Sequence, residues 1–460
     1  MSRRWLGSVG GLLLAIALAA CGGAGGDEGR SGGASPGGSS GEGGQAAAAA
    51  AGGTGGSTGE AGGAEGGGTS FVPEPIPDID EEPPPLCADP TPSDYFQFLD
   101  DTCGDKRQPS YADRALACPV VDASPLIPLA GGGEAHYQPP DEAPIVHPEL
   151  VGLVPTGLTM TAVLIRRVAG RPHFRYLSTG DHDQPYQPWS TTKFLAAANG
   201  ATWLRIASSY QVGLTASVGS HTLGDLVSSI HTYDDAPYGS NSLGAYFHDI
   251  GRRDRANAMI HSGWLGRPAT ETFGGNYGAA PPALGYTFTE PGGETVTVTP
   301  DTSGGPANHL SSFTLTEALK RLVLHREVTS QRLPGIQWAD LEVLFYGAPG
   351  SAAYGDFGGM SADTAIYLQT GHDIDYVERR SRGRWRIFSK LGLGASGQFL
   401  NVGYACLPVL DDDLDPVPGW GRELVIAAHL PTGGTTWAAR DRMLAKAYRT
   451  VMLRVLDGRL

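Results

Sequence analysis

The run Trp189-Ser190-Thr191-Thr192-Lys193 sets a hydroxyl and an amine three residues apart, which on a helix brings both to one face a single turn apart. A serine hydroxyl attacks a carbonyl when a base takes its proton, and a lysine amine serves when burial and a neighbouring positive charge favour its neutral form. A helix starting at the serine adds backbone N–H donors for the oxyanion that develops. Two later stretches carry matching groups: Ser240-Asn241-Ser242, and Ser389-Lys390-Leu391-Gly392-Leu393-Gly394, a lysine on an otherwise apolar strand. Of 33 basic residues only Lys106, Lys193, Lys320, Lys390 and Lys446 are lysines, so arginine is the default cation and each lysine asks for a reason. Taken alone, Ser-x-x-Lys reads equally as an N-cap serine followed by a solvated lysine, and Gly-Ser-Asn-Ser as a turn.

The elements around these residues weigh against the bland readings. Met160–Ile165 and Phe174–Leu177 alternate as strands about a Gly170-Arg171 turn, predicting a hairpin just upstream of Ser190. From Ser190 to Ile206 the pattern is helical and rich in alanine rather than charge, which predicts burial. Helices follow over Leu223–Ile230, Leu243–Phe247, Ala256–His261 and Leu315–Leu324, then strands over Trp385–Ser389, Phe399–Leu407 and Glu423–His429. Thr436–Leu456 closes the chain as an amphipathic helix with Leu444, Ala447, Tyr448, Val451 and Val455 on one face. This order predicts an α+β domain: an antiparallel sheet flanked by helices, shared by the first and last segments, plus a helical subdomain.

On these residues the stretch Leu158–Leu456 resembles the class A β-lactamase and penicillin-binding D,D-peptidase superfamily of serine hydrolases. The resemblance implies Ser190 as nucleophile and Lys193 as its base, with Ser240 relaying a proton to the leaving amine. It places Asn241 and Ser242 at the substrate amide, and Lys390 and Leu391 where the family recruits a substrate carboxylate. Gly392 permits close backbone approach, and the backbone amides of Leu393 and Ser190 would bind the oxyanion. Ser242 stands where the family has asparagine, and Leu391 where it has a hydroxyl. The Glu-x-x-Leu-Asn pattern of the deacylating base is missing; Glu271 is the nearest candidate and reads as an exposed loop carboxylate. The segments 277–308 and 347–384 read as insertions. The implied activity is ester formation on Ser190 with β-lactam or peptidoglycan-type substrates, without a cofactor and with slow turnover. A scaffold or binding lipoprotein that keeps the fold without turnover competes with this, followed by a D,D-peptidase or general esterase.

The front of the chain addresses it elsewhere. Arg3 and Arg4 precede an apolar run, Leu12–Ala20, too short to span a bilayer, and Leu18-Ala19-Ala20-Cys21 resembles the lipobox of bacterial lipoproteins. Residues 1–20 thus read as a signal peptide and Cys21 as an acylated anchor to the cell envelope. Residues 21–70, nearly all Gly, Ala, Ser and acidic, read as a flexible linker. Residues 71–150 form a Pro-rich, cysteine-bearing extension with one helix-like stretch at Asp94–Leu99, and residues 151–460 the hydrolase domain. A net charge of −15 without a basic stripe excludes nucleic acid as a partner. Cys87, Cys103, Cys118 and Cys406 suit two disulfides in an exported protein; of three pairings, Cys87–Cys103 and Cys118–Cys406 are adopted. The histidines, including His182, His221 and His261, lack metal-ligand spacing, and no metal is expected. Metabolic labelling with radioactive palmitate in a bacterial host should mark the wild-type chain and leave Cys21→Ala unlabelled; equal labelling of both would refute the anchor.

Overall fold

The computed structural model describes residues 117–460 apart from 123, 233–236, 350–357, 364–373, 395–396 and 432–436. The signal, the linker, the Asp94–Leu99 helix and the Cys87–Cys103 pair lie outside the described residues.

A six-stranded sheet organises the domain. In chain order its strands are β3 (Val146–His147), β4 (Thr159–Val168), β5 (Arg171–Ser178), β10 (Arg386–Leu393), β11 (Phe399–Leu407) and β12 (Arg422–Leu430). In space they run β10-β11-β12-β4-β5-β3, so β12, from the end of the chain, pairs with β4 from its beginning. All pairings are antiparallel except β3 with β5. The predicted hairpin is β4 and β5, joined through Ala169 and Gly170, both at positive φ. The sheet takes its sixth strand, β3, from the extension, because Val146 and His147 align with the exposed edge at Tyr176 and Leu177. Nearby, β1 (Leu126–Pro128) and β2 (Glu134–His136) form a separate ribbon.

Two apolar layers sandwich the sheet, and the two-residue period of its strands assigns each side chain to one of them. Phe388, Val402, Tyr404, Val425, Ala427, Val163 and Tyr176 face the helical layer. That layer holds α1 (Lys193–Ala207), α2 (Leu223–Thr232), α3 (Ser240–Gly251), α4 (Arg253–Ala258), α5 (Ser312–Val323) and α6 (Trp338–Tyr346). Ile387, Leu391, Ala405, Leu424, Ile426, Met160 and Ala162 face the other way. There α7 (Ile374–Ser381) and the closing helix α8 (Trp437–Leu456) cover them. Leu444, Ala447, Tyr448, Val451 and Val455 of α8 are all buried, as their spacing predicts. With both faces covered, β4, β11 and β12 read as nearly unbroken apolar runs. The segment 277–308 contributes β8 (Thr287–Thr289) and β9 (Thr295–Thr297). These join β6 (Ser217–Val218) and β7 (His221–Thr222) in a small second sheet.

Buried charges in this domain each find partners. Lys320 donates to Glu317 at 2.6 Å and to the Tyr176 hydroxyl at 2.7 Å, with its ammonium 4.1 Å from the centre of the Phe174 ring. Arg205 of α1 forks onto Asp340 at the start of α6, and Asp340 also accepts from Leu214 N. Glu271 overturns its expected exposure. It is fully buried, accepts from Arg267 Nε at 2.9 Å and from Ser311 N at 3.0 Å, and so anchors the turn that starts α5.

Cys118 and Cys406 form the expected disulfide across a sequence separation of 288 residues. A crosslink of that span removes much of the unfolded chain's freedom. Cys118→Ser with Cys406→Ser is therefore expected to cost about 4 kcal/mol of unfolding free energy, read as a lower midpoint in guanidinium denaturation; an unmoved midpoint would contradict that role.

Candidate active site

The candidate nucleophile sits on a turn that the chain must be bent to make. Trp189–Thr192 form a 3₁₀ turn that runs directly into α1, and the Lys193 N–H donates to Ser190 O. Trp189 takes φ of +47°, a left-handed value that side-chain-bearing residues adopt at a cost of about 1–3 kcal/mol. Two bonds hold it there: Trp189 Nε1 donates to Gln398 Oε1 at 2.5 Å, and Thr191 Oγ1 donates to Pro188 O at 2.5 Å. Ser190 itself is half-buried.

Lys193, one turn on, is 1% exposed. Its Nζ donates to Ser240 Oγ at 2.9 Å and to Asn241 Oδ1 at 2.6 Å. Ser240 is the first residue of α3, and its hydroxyl donates a hydrogen bond to Ile230 O, near the end of α2, at 2.9 Å. Packing between the helices keeps this register. Asn199 of α1 donates to Gly251 O at the end of α3, and a Cβ at Gly200 would already press the Phe247 ring at 3.1 Å. Ser242 follows on α3, half-buried. The structure thus brings Ser240 and Asn241 to Lys193 from 47 and 48 residues away.

The third stretch lies on β10, the edge strand of the sheet. Gly392 is where that strand meets the nucleophile turn: an added Cβ would stand 2.9 Å from Thr191 Cγ2 and 3.0 Å from Pro188 O. Lys390 shares its face of the strand by the two-residue period, and its side chain is fully buried. Burial, with the charge of Lys193 adding to it, holds Lys390 well below the ordinary lysine range. The Leu391 side chain leaves the cleft altogether. It packs among Ile387, Phe399 and Ala405 on the α8 side, which removes it as a substrate-binding side chain because adjacent strand residues point to opposite faces. Its backbone N–H and C=O stay at the open edge, where the carbonyl accepts from Lys390 Nζ at 3.1 Å. Gly394 N bonds back to Gln398 O on the β11 side, and alternation aims Leu393 N outward like Leu391 N.

Three more residues complete the neighbourhood without a motif to announce them. Tyr277 lays its ring 5.2 Å from Lys193 Nζ and shares a hydrogen bond of 2.9 Å with Thr192 Oγ1. Gly244 makes the room, since a Cβ there would meet the Tyr277 ring at 2.6 Å. His231 is wholly buried, and burial followed by the charge of Lys390 holds its imidazole well below the usual value. Its Nδ1 bonds Val227 O, leaving Nε2 an acceptor with no partner among the described residues. Asp363 takes Leu391 N at 3.0 Å and lies 3.6 Å from Lys390 Nζ. Tyr277 and Asp363 both come from segments whose sequence reads as insertion, where spacing carries no information about partners 85 and 28 residues away. Among the described residues no group of three His, Cys, Asp or Glu could hold a metal ion.

No protein-family model and no curated protein matches the chain. Among solved structures, the chain is similar to an ancestral class A β-lactamase at 14% identity and TM-score 0.38, over 64% of this chain and 94% of that one. It is also similar to a β-lactamase from Xanthomonas campestris pv. campestris at 14% identity and TM-score 0.38, over 64% and 90%. A third is L2 complexed with relebactam, at 16% identity and TM-score 0.37, over 64% and 90%.

The fit of β10 against the nucleophile turn is open to direct test. Gly392→Ala should cost about 1–3 kcal/mol by overpacking, measured by chemical denaturation; a change within the ~0.5 kcal/mol of an ordinary surface substitution would mean that the strand yields freely.

Proposed function

We propose that this chain is an exported, lipid-anchored serine hydrolase of β-lactamase-like fold that forms an acyl-enzyme on Ser190 with β-lactam or peptidoglycan-type substrates. The observation that carries the reading is the placement of Lys193: a buried amine one turn from a half-buried serine, held between Ser240 Oγ and Asn241 Oδ1. A surface lysine following an N-cap serine would have none of these partners. The anchor at Cys21 rests on the order of signal, small residues and cysteine.

In the proposed reaction the proton of Ser190 passes to Lys193 as Oγ bonds to the acyl carbon. The oxyanion is met by the N–H groups of Ser190 and Leu393, which flank the contact between the nucleophile turn and β10. Collapse breaks the bond to the leaving nitrogen, which takes a proton from the Ser240 hydroxyl while Lys193 returns one to Ser240. Ser240 must first turn its proton away from Ile230 O. Hydrolysis of the ester then needs a base for water. Glu271 is committed to Arg267 and Ser311, so slow release of the acyl group is expected.

Prolonged incubation of the purified protein with excess fluorescent penicillin should give a single covalent adduct by intact mass, absent from Ser190→Ala. Lys193→Ala should slow adduct formation at least 100-fold, the scale of a lost general base (about 10²–10⁴). If the wild-type protein stays unmodified at high excess, the reading fails in favour of a chain that keeps the fold as a scaffold.

A further inference from the structure

Acyl transfer on Ser190 leaves open which acyl donors the cleft accepts, and the edge of β10 bears on it. A carboxylate beside the scissile bond could be held here by the outward N–H of Leu391 and the ammonium of Lys390. Both are already engaged by a carboxylate of the protein's own, since Asp363 Oδ2 accepts from Leu391 N at 3.0 Å and stands 3.6 Å from Lys390 Nζ. The side chains of Lys390 and Asp363 are each 0% exposed, so the pair is closed to solvent.

Asp363 is built into this position. It ends the 3₁₀ turn Gly359–Ala362, whose start is wedged between α2 and α6. Gly359 N donates to Ser228 Oγ of α2 at 2.8 Å. Gly359 takes φ of +55°, and a Cβ there would stand 2.5 Å from Leu344 O of α6. At Gly358 a Cβ would approach Tyr346 O at 2.7 Å and Ser228 Oγ at 2.9 Å. Larger residues cannot occupy this path, so the backbone entering Asp363 is fixed by two helices rather than by the carboxylate's own bonds.

Resting on the acyl-transfer reading, we propose that Asp363 is a specificity-determining residue that fills the anion position of the cleft, so that the preferred acyl donors carry no free carboxylate next to the scissile bond. An incoming carboxylate meets a fixed negative charge in a desolvated place and finds its hydrogen-bond donor taken. An uncharged amide or ester escapes the charge repulsion.

Two phenylacetylglycyl thioesters test this, one with thioglycolate as leaving group and one with the methyl ester of thioglycolate. In each, Ser190 Oγ bonds to the thioester carbon, the C–S bond breaks, and the serine's proton leaves with the thiol, whose release is followed by absorbance. The full-length wild-type protein should be acylated at least tenfold faster by the neutral thioester. Asp363→Asn should raise the ratio of the anionic to the neutral rate at least tenfold over the wild type. The wild-type ratio decides the matter even if the variant folds poorly. Equal wild-type rates, with the adduct on Ser190, overturn this inference and leave acyl transfer standing. A protein that neither thioester nor penicillin acylates overturns both.

Discussion

Burying Lys193 is the constraint around which the helical layer is arranged. Taking a lysine amine out of water is expensive unless its N–H groups find acceptors. The acceptors come from the first two residues of α3, Ser240 and Asn241, and a ring face comes from Tyr277. Each demands close approach, which the small residues Gly200, Gly244 and Gly251 along the helix contact provide. The same requirement orients Ser240, whose hydroxyl gives its proton to Ile230 O because it must accept from Lys193.

The sheet supplies the second wall. Because β12 returns to pair with β4, the edge strand β10 is carried to the far side of the sheet, where Gly392 meets the turn that carries Ser190. Gly392 and Gly394 are pressed against Thr191, Pro188 and Trp189, and the tie from Trp189 to Gln398 offsets the left-handed backbone that precedes the serine. Strain at Trp189 is thus balanced by the sheet as well as by the Thr191 bond within the turn. Lys390 brings a second buried amine to this place. Its lowered proton affinity follows from burial and from Lys193, and Asp363 supplies the negative charge beside it.

Much of this was legible in the residues because it rests on local rules. The β4–β5 hairpin, α1, the three late strands and α8 follow from period-two and helical spacing. The cysteine count allowed three pairings without choosing among them, and the fold brings Cys118 to Cys406. Other features resisted. Helix α6 carries apolar residues nearly all round, so no amphipathic period marks it. The short strands β6 to β9 are too brief to leave a pattern. Glu271 looked like a loop carboxylate, since nothing near it in sequence foretold the amide of Ser311 forty residues on.

By itself, then, the amino-acid sequence determined the α+β class, the order of the longer strands and most of the helices, and the three stretches around Ser190, Ser240 and Lys390, because side-chain type and spacing act over one or two turns. Only the tertiary structure decided that the Leu391 side chain faces the α8 layer and leaves its backbone N–H and C=O at the edge of β10. It alone decided that Tyr277 covers Lys193 and that Asp363 sits on the edge of β10. Those outcomes depend on which surfaces meet across long stretches of chain. The meeting is set by packing, by backbone approach at glycine, and by the need of buried charges for partners, none of which is written in local spacing.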